Sequence, residues 1–100
     1  MITTTLKSWA EEDRPREKML LKGRSALSDA ELLAILIGSG TRELTAVQLA
    51  REILSHSNNN LGELAQKSIK DLMKFKGIGE AKAINIIGAL ELGRRKKETD

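Results

Sequence analysis

Apolar positions along this chain recur at helical spacing, and each periodic stretch is bracketed by residues that start or stop helices. The segment PREKMLLK opens on Pro15, whose fixed φ and missing amide suit a first turn, and Gly23 follows as a stop. This predicts a short helix over Pro15–Lys22. Ser28 and Glu31 stand at the spacing where each satisfies a free amide of a first helical turn. They predict a second helix from Ser28, running through LLAILI (residues 32–37) to Gly38. On hydrophobicity alone that run also suits a buried strand; the cap, the Leu and Ala content and the lack of Val and Tyr favour a buried helix.

Thr45 caps a third helix, in which Val47, Ala50 and Leu54 repeat at i, i+3, i+7. HSNNN (residues 56–60) is a turn cluster, and Asn60 caps a short helix over 61–66. Ser68 with Asp71 predicts another capped start, with Ile69, Leu72 and Met73 on one face. The last helix runs from about Glu80 into the tail, with Ala83, Ile84, Ile87 and Leu90 inward and Ile86 widening the stripe. No hairpin signal of the Asn-Gly type occurs. The expected fold class is all-α.

A repeat underlies this order. A shift of 39 residues places Gly38 on Gly77, Gly40 on Gly79, Leu33 on Leu72 and Leu36 on Phe75. Beyond the glycines the shift becomes 34, placing Leu49 on Ala83, Ala50 on Ile84 and Ile53 on Ile87, so the first copy has five extra residues in its turn. Similarity between amphipathic helices arises by chance, but the matching G-x-G at matching places favours a true repeat. Two helix–hairpin–helix units joined by the 61–66 helix would make a tandem five-helix core, with the Pro15–Lys22 helix as an addition.

With 100 residues the chain is one small domain by length, and with one Trp, one Phe and no Tyr its core must be Leu, Ile and Ala. The lack of Cys excludes disulfides and thiolate metal sites. No apolar run approaches a membrane span, and the N-terminus lacks the basic start and apolar centre of a signal peptide. A cytoplasmic protein without membrane contact is expected. Charge divides unevenly. Residues 1–65 carry eight Lys/Arg and nine Asp/Glu, whereas residues 66–100 carry nine and five, a net of +4. That asymmetry points to an anionic partner, with a solvated helix face as the alternative.

The basic half surrounds GIG, residues 77–79. The first amides of a helix lack internal partners and, with the helix dipole, favour an anion. Amides of Gly77, Ile78 and Gly79 add to that set, glycines on both sides admit a bulky phosphodiester, and Ile78 between them locks the loop inward. Lys76 and Lys82 flank the concavity, with Lys74 within a turn. Such an arrangement binds phosphate without reading bases, and no aromatic platform stacks single strands. Duplex or branched DNA backbone is the expected target. The same spacing also suits a plain C-cap and corner, and Glu80 in the first turn repels a phosphate. The first hairpin, Gly38, Ser39, Gly40, Thr41 and Arg42, has Ser39 in place of Ile78 and so reads as a weaker site or a packing element, with Arg42 able to reach a phosphate.

Other signals carry less. GIGEAK lacks the third glycine and preceding strand of a dinucleotide fingerprint, and no phosphate loop of the G-x-x-x-x-G-K-S/T type occurs. His56, the single histidine, reads as a helix-end residue, and no zinc ligand set exists. Glu11 and Glu12 look solvated, Trp9 reads first as pinning an N-terminal arm to the core and then as a partner anchor, and GRRKK (residues 93–97) reads first as a helix terminus or linker, then as a phosphate contact. No catalytic or metal-ligating constellation is found.

RPREKMLLKGRSALSDAELLAILIGSGT (residues 14–41), followed by LMKFKGIGEAKAINIIGALELGRR (residues 72–95), resembles the N-terminal portion of the RadC-like proteins. The second segment also resembles the helix–hairpin–helix motif of DNA-repair proteins. The resemblance implies a tandem helix–hairpin–helix domain in a bacterial protein traditionally associated with DNA repair. Members usually continue into a domain resembling JAB/MPN metallopeptidases, whose metal site uses an H-x-H element that nothing here matches. The chain is therefore expected to be an isolated or truncated N-terminal domain. The resemblance makes Gly77 and Gly79 the motif glycines and Ile78 its apolar loop residue, with Lys76, Ala81 and Lys82 flanking the phosphate pocket. It also raises a monovalent cation on the second hairpin's loop carbonyls, for which no residue speaks; no other cofactor is expected.

The expected organisation is an arm over residues 1–13, the tandem domain over 14–95 and a tail over 96–100. The expected function is a non-catalytic, sequence-independent DNA-binding module. The alternative is a scaffold that packs against its own C-terminal domain or another protein. Salt response separates them, because phosphate contacts weaken steeply with salt and apolar packing does not.

Overall fold

The computed structural model describes residues 14–99. The expected arm, with Trp9, Glu11 and Glu12, lies outside the described residues. Within them the chain is all-α, with six α-helices, one 3₁₀ turn and no strand. The helices are α1 (Pro15–Lys22), α2 (Asp29–Ile37), α3 (Ala46–Ser55), α4 (Leu61–Ala65), α5 (Ile69–Met73) and α6 (Glu80–Thr99). Contacts divide the described residues into two compact units that part between Ala50 and Arg51, inside α3.

In the first unit, Pro15 is buried at the start of α1, and Gly23 stops the helix at φ +88° while its amide donates to the Met19 carbonyl at 2.8 Å. The capping box expected of Ser28 and Glu31 forms: the Glu31 amide donates to Ser28 Oγ at 3.1 Å and the Ser28 amide to Glu31 Oε1 at 2.9 Å. Lys18 from α1 reaches both oxygens of the same carboxylate, at 2.8 and 3.1 Å. Glu31 thereby joins a helix start to a neighbouring helix. Burial is the largest single influence on its carboxyl and opposes ionisation, yet hydrogen bonds from Lys18 and Ser28 together hold it below the usual range. Leu33, Ala34 and Ile37 form the buried face of α2, which settles its apolar run as helix rather than strand.

In the second unit, α6 packs against α5 and α4, and Leu64, Leu72, Ala83 and Ile86 are fully buried. Burying a side chain of Leu or Ile size contributes about 1.5–3 kcal/mol. Asn60 caps α4 through the Glu63 amide at 2.8 Å, and Ser68 forms a capping box with Asp71 at the start of α5. Hydrogen bonds from the Ser68 backbone, then from its side chain, hold the Asp71 carboxyl below its ordinary range.

The inward face of α6 differs from expectation. Ile84 is 50% exposed whereas Ile86 is 0% exposed. Ala83, Ile86 and Leu90 fall at i, i+3, i+7, and Ile84 points about 100° away from Ala83. For the same reason of helical geometry the short α5 turns only Leu72 inward and leaves Ile69 and Met73 exposed.

Candidate nucleic-acid interface

The loop between α5 and α6 is built by backbone geometry. The Phe75 amide donates to the Leu72 carbonyl at 3.2 Å, and the Ile78 amide to the Phe75 carbonyl at 3.0 Å. Between these turns Gly77 adopts φ +95°, a conformation that costs an L side chain roughly 1–2 kcal/mol. Ile78 is 3% exposed, so the inward anchor expected from the sequence is in place. The Gly79 carbonyl accepts the first helical bond of α6, from the Ala83 amide at 3.0 Å.

One expectation needs correcting. The sequence suggested three converging loop amides, but the Ile78 amide is spent on Phe75. Gly77 and Gly79 remain, and their amides have no hydrogen-bond partner among the described residues. The first-turn amides of α6 on Glu80 and Ala81 add to them. A Cβ built on Gly79 meets nothing within 4 Å, so approach to this backbone is open. Lys76 and Ala81 are exposed and Lys82 is half-buried. Each lysine has an interaction of its own, so neither stands without a partner. Glu80, also exposed, puts a carboxylate in the first turn.

The first hairpin shares the positive φ of its leading glycine but not the opening. Gly38 closes α2 at φ +83°, matching Gly77, and its amide donates to the Ala34 carbonyl at 2.8 Å. A Cβ on Gly40 would overlap the Leu44 carbonyl oxygen and lie 2.6 Å from the Thr45 carbonyl carbon. The extra residues cause this closure. The Thr41 amide donates to the Leu44 carbonyl at 2.8 Å, and Thr41 Oγ1 accepts from the Glu43 and Leu44 amides at 3.2 and 3.1 Å. The space that is open at Gly79 is filled at Gly40 by its own loop. Ser39 and Arg42 are exposed beside it.

The two arginines near the end of α6 are paired locally. Arg94 pairs with Glu91 at 2.8 Å and Glu98 at 2.6 Å, and Arg95 pairs with Glu91 at 2.9 Å. Hydrogen bonds from Arg94 and then Arg95 bring the Glu91 carboxyl down to about 2, and Glu91 in turn raises Arg94. These arginines hold a helix terminus together. His56 Nδ1 lies 2.9 Å from the Glu52 carbonyl, and its ring meets Phe75 edge-on at 5.1 Å. Among the described residues no three His, Cys, Asp or Glu gather where they would hold a metal. No helix among them is long and apolar enough to cross a membrane.

Two features were missed in the sequence. A cleft of about 240 Å³ in the first unit is lined by Arg14, Pro15, Arg16, Glu17, Ala34, Gly38 and Ala46. There Arg16 Nη2 donates to the Ile35 carbonyl at 3.2 Å, serving an end carbonyl of α2. The R-P-R spelling held that signal, masked by the role of Pro15 as a helix start. The second is the buried Ser57 hydroxyl, which has no hydrogen-bond partner among the described residues; within a polar HSNNN turn nothing marks it as buried.

Comparison with known proteins adds the following. A family model described as UPF0758 N-terminal matches residues 6–84. A UPF0758 protein of Flavobacterium johnsoniae is 59% identical over 95 residues, covering 95% of this chain and 41% of the relative. One from Porphyromonas gingivalis is 53% identical over 92 residues, covering 91% and 40%. One from Syntrophomonas wolfei is 45% identical over 94 residues, covering 94% and 40%. The chain thus spans about two fifths of the length of the curated relatives it matches. No solved structure matches it.

Proposed function

The chain belongs to the UPF0758 family, the RadC-like group its sequence resembles, and from that premise we propose that it is a non-catalytic, sequence-independent DNA-binding module acting in the cytoplasm. The tandem helix–hairpin–helix arrangement is part of this proposal. Backbone phosphate is received at the loop of Gly77, Ile78 and Gly79, flanked by Lys76, Ala81 and Lys82. The observation that carries the reading is the open backbone at Gly79, beside an anchor at Ile78 that fixes it ahead of the α6 amides. Glycine there admits a phosphate oxygen to hydrogen-bond distance, and the helix dipole favours its charge. A first hairpin closed at Gly40 leaves the second as the main contact. Binding of labelled duplex at several salt concentrations tests this, with loss of affinity expected on substitution of Gly79.

A second reading has its own observation. Leu20 and Leu21 on α1 are 87% and 83% exposed, and Ile84 and Leu92 on α6 are also exposed. Apolar side chains so placed suit a scaffold that positions a following metallopeptidase-like domain or another protein. Salt-insensitive association would favour it over phosphate binding.

A further inference from the structure

The residues leading into the loop carry a second cluster that the reading above does not use. Between 67 and 74 stand Lys67, Lys70 and Lys74 against a single acid, Asp71. On α5, Lys70 and the C-cap Lys74 fall at i and i+4, and helical geometry sets both about 160° from Leu72, the buried residue of that helix. The lysine face thus lies opposite the side that holds α5 in the core, and Lys70 and Lys74 are exposed.

Compensation here comes from Asp71 alone among the described residues. Asp71 is committed to the capping box with Ser68, and its ion pair with Lys74 is long, 3.7 Å between exposed groups. Lys67 acts on the same carboxylate only through its charge. Among the described residues Lys67 and Lys70 form no ion pair. Arg94 and Arg95 on α6 show the contrast, with a glutamate three or four residues from each. Like charges at i and i+4 destabilise a helix, most where the helix is one turn long. An anionic partner on this face removes that repulsion.

We propose that Lys67, Lys70 and Lys74 form a second phosphate-contacting surface, taking further backbone phosphates of the same nucleic acid that enters the Gly77 and Gly79 loop. This rests on the DNA-binding reading of that loop, and adds that the ligand is a continuous phosphodiester backbone rather than a lone phosphate or mononucleotide.

The test compares four forms of the chain by anisotropy of a labelled duplex between about 50 and 200 mM salt. They are the unaltered chain, Gly79→Asp, the variant Lys67→Gln/Lys70→Gln/Lys74→Gln, and a control losing the same charge elsewhere, Lys22→Gln/Arg24→Gln/Arg51→Gln. Circular dichroism confirms that each is folded. Each phosphate contact contributes about 0.9 to the log–log salt slope, so the lysine variant is expected to lose about 2–3 of that slope while the control loses little. Inorganic phosphate and a mononucleotide are expected to compete only weakly. An unchanged slope in the lysine variant, or an equal drop in the control, overturns the second surface, and binding lost in Gly79→Asp then still upholds the loop. A reduced slope with undiminished binding by Gly79→Asp upholds the surface as a phosphate contact and removes the loop. No duplex binding by the unaltered chain removes both.

Discussion

The Lys18 ammonium of α1 lies within 3.1 Å of both carboxylate oxygens of Glu31, while one of those oxygens also accepts the Ser28 amide at the start of α2. One carboxylate therefore caps a helix and fastens its neighbour. Loss of a cap costs about 1 kcal/mol, and a hydrogen bond to a charged group is worth about 1.5–3 kcal/mol. Glu31→Ala is expected to lower unfolding stability by about 2–3 kcal/mol, read by urea denaturation. Glu31→Gln, which keeps the cap acceptor, is expected to lose less.

The same group sets a pH response. Its folded carboxyl titrates below the unfolded value of 4.5, so its contribution is fully present above pH 4.5 and is lost as pH falls through the folded value. Asp71 and Glu91 are shifted in the same direction, so the sign is common. Stability is expected to be level near neutrality and to decline below about pH 4.5. Thermal unfolding of Glu31→Gln over that range is expected to show a shallower decline than the unaltered chain.

Along α6, Ile86→Ala is expected to cost about 2–5 kcal/mol and Ile84→Ala under about 1 kcal/mol, because only the first removes buried methyl groups. Equal losses would mean that the helix faces inward as its sequence alone suggests. This pair shows what the chain made legible and what it did not. Caps at Ser28, Thr45, Asn60 and Ser68 are local chemistry, and each starts a helix where expected. Ile84, Ile86 and Ile87 offer three isoleucines across nearly one turn, and packing alone chooses among them. Burial chooses Ile86, which aligns Ala50 with Ala83 and Ile53 with Ile86, a shift of 33 instead of the expected 34.

The site divides the same way. Gly77 at positive φ and the inward Ile78 follow from residue type, and both were legible. The Ile78 amide bonded to Phe75, and the closing of Gly40 by residues 41–45, depend on how the turns fold back, which spacing does not encode. Gly77→Ala is expected to destabilise by about 1–2 kcal/mol through its φ. Gly79→Ala has open space for its Cβ but replaces a good helix cap with a poor one, and is expected to cost about 0.5–1 kcal/mol.

Ser57 offers a gain. Its buried hydroxyl has no hydrogen-bond partner among the described residues, so Ser57→Ala removes a desolvated polar group without breaking a bond to any of them. Unfolding stability is expected to be unchanged or higher by up to about 1 kcal/mol. A loss of 1 kcal/mol or more, on that same scale, would show that the hydroxyl is engaged.

The most direct measurement is duplex DNA binding by Gly79→Asp against the unaltered chain across a salt series. Aspartate at this position caps α6 at least as well as glycine, so the fold is kept or slightly strengthened, while a carboxylate occupies the place of the phosphate. The expected result is salt-sensitive binding by the unaltered chain and its loss in a fully folded Gly79→Asp. Equal binding by both proteins would contradict the account and leave the glycines as a corner between helices.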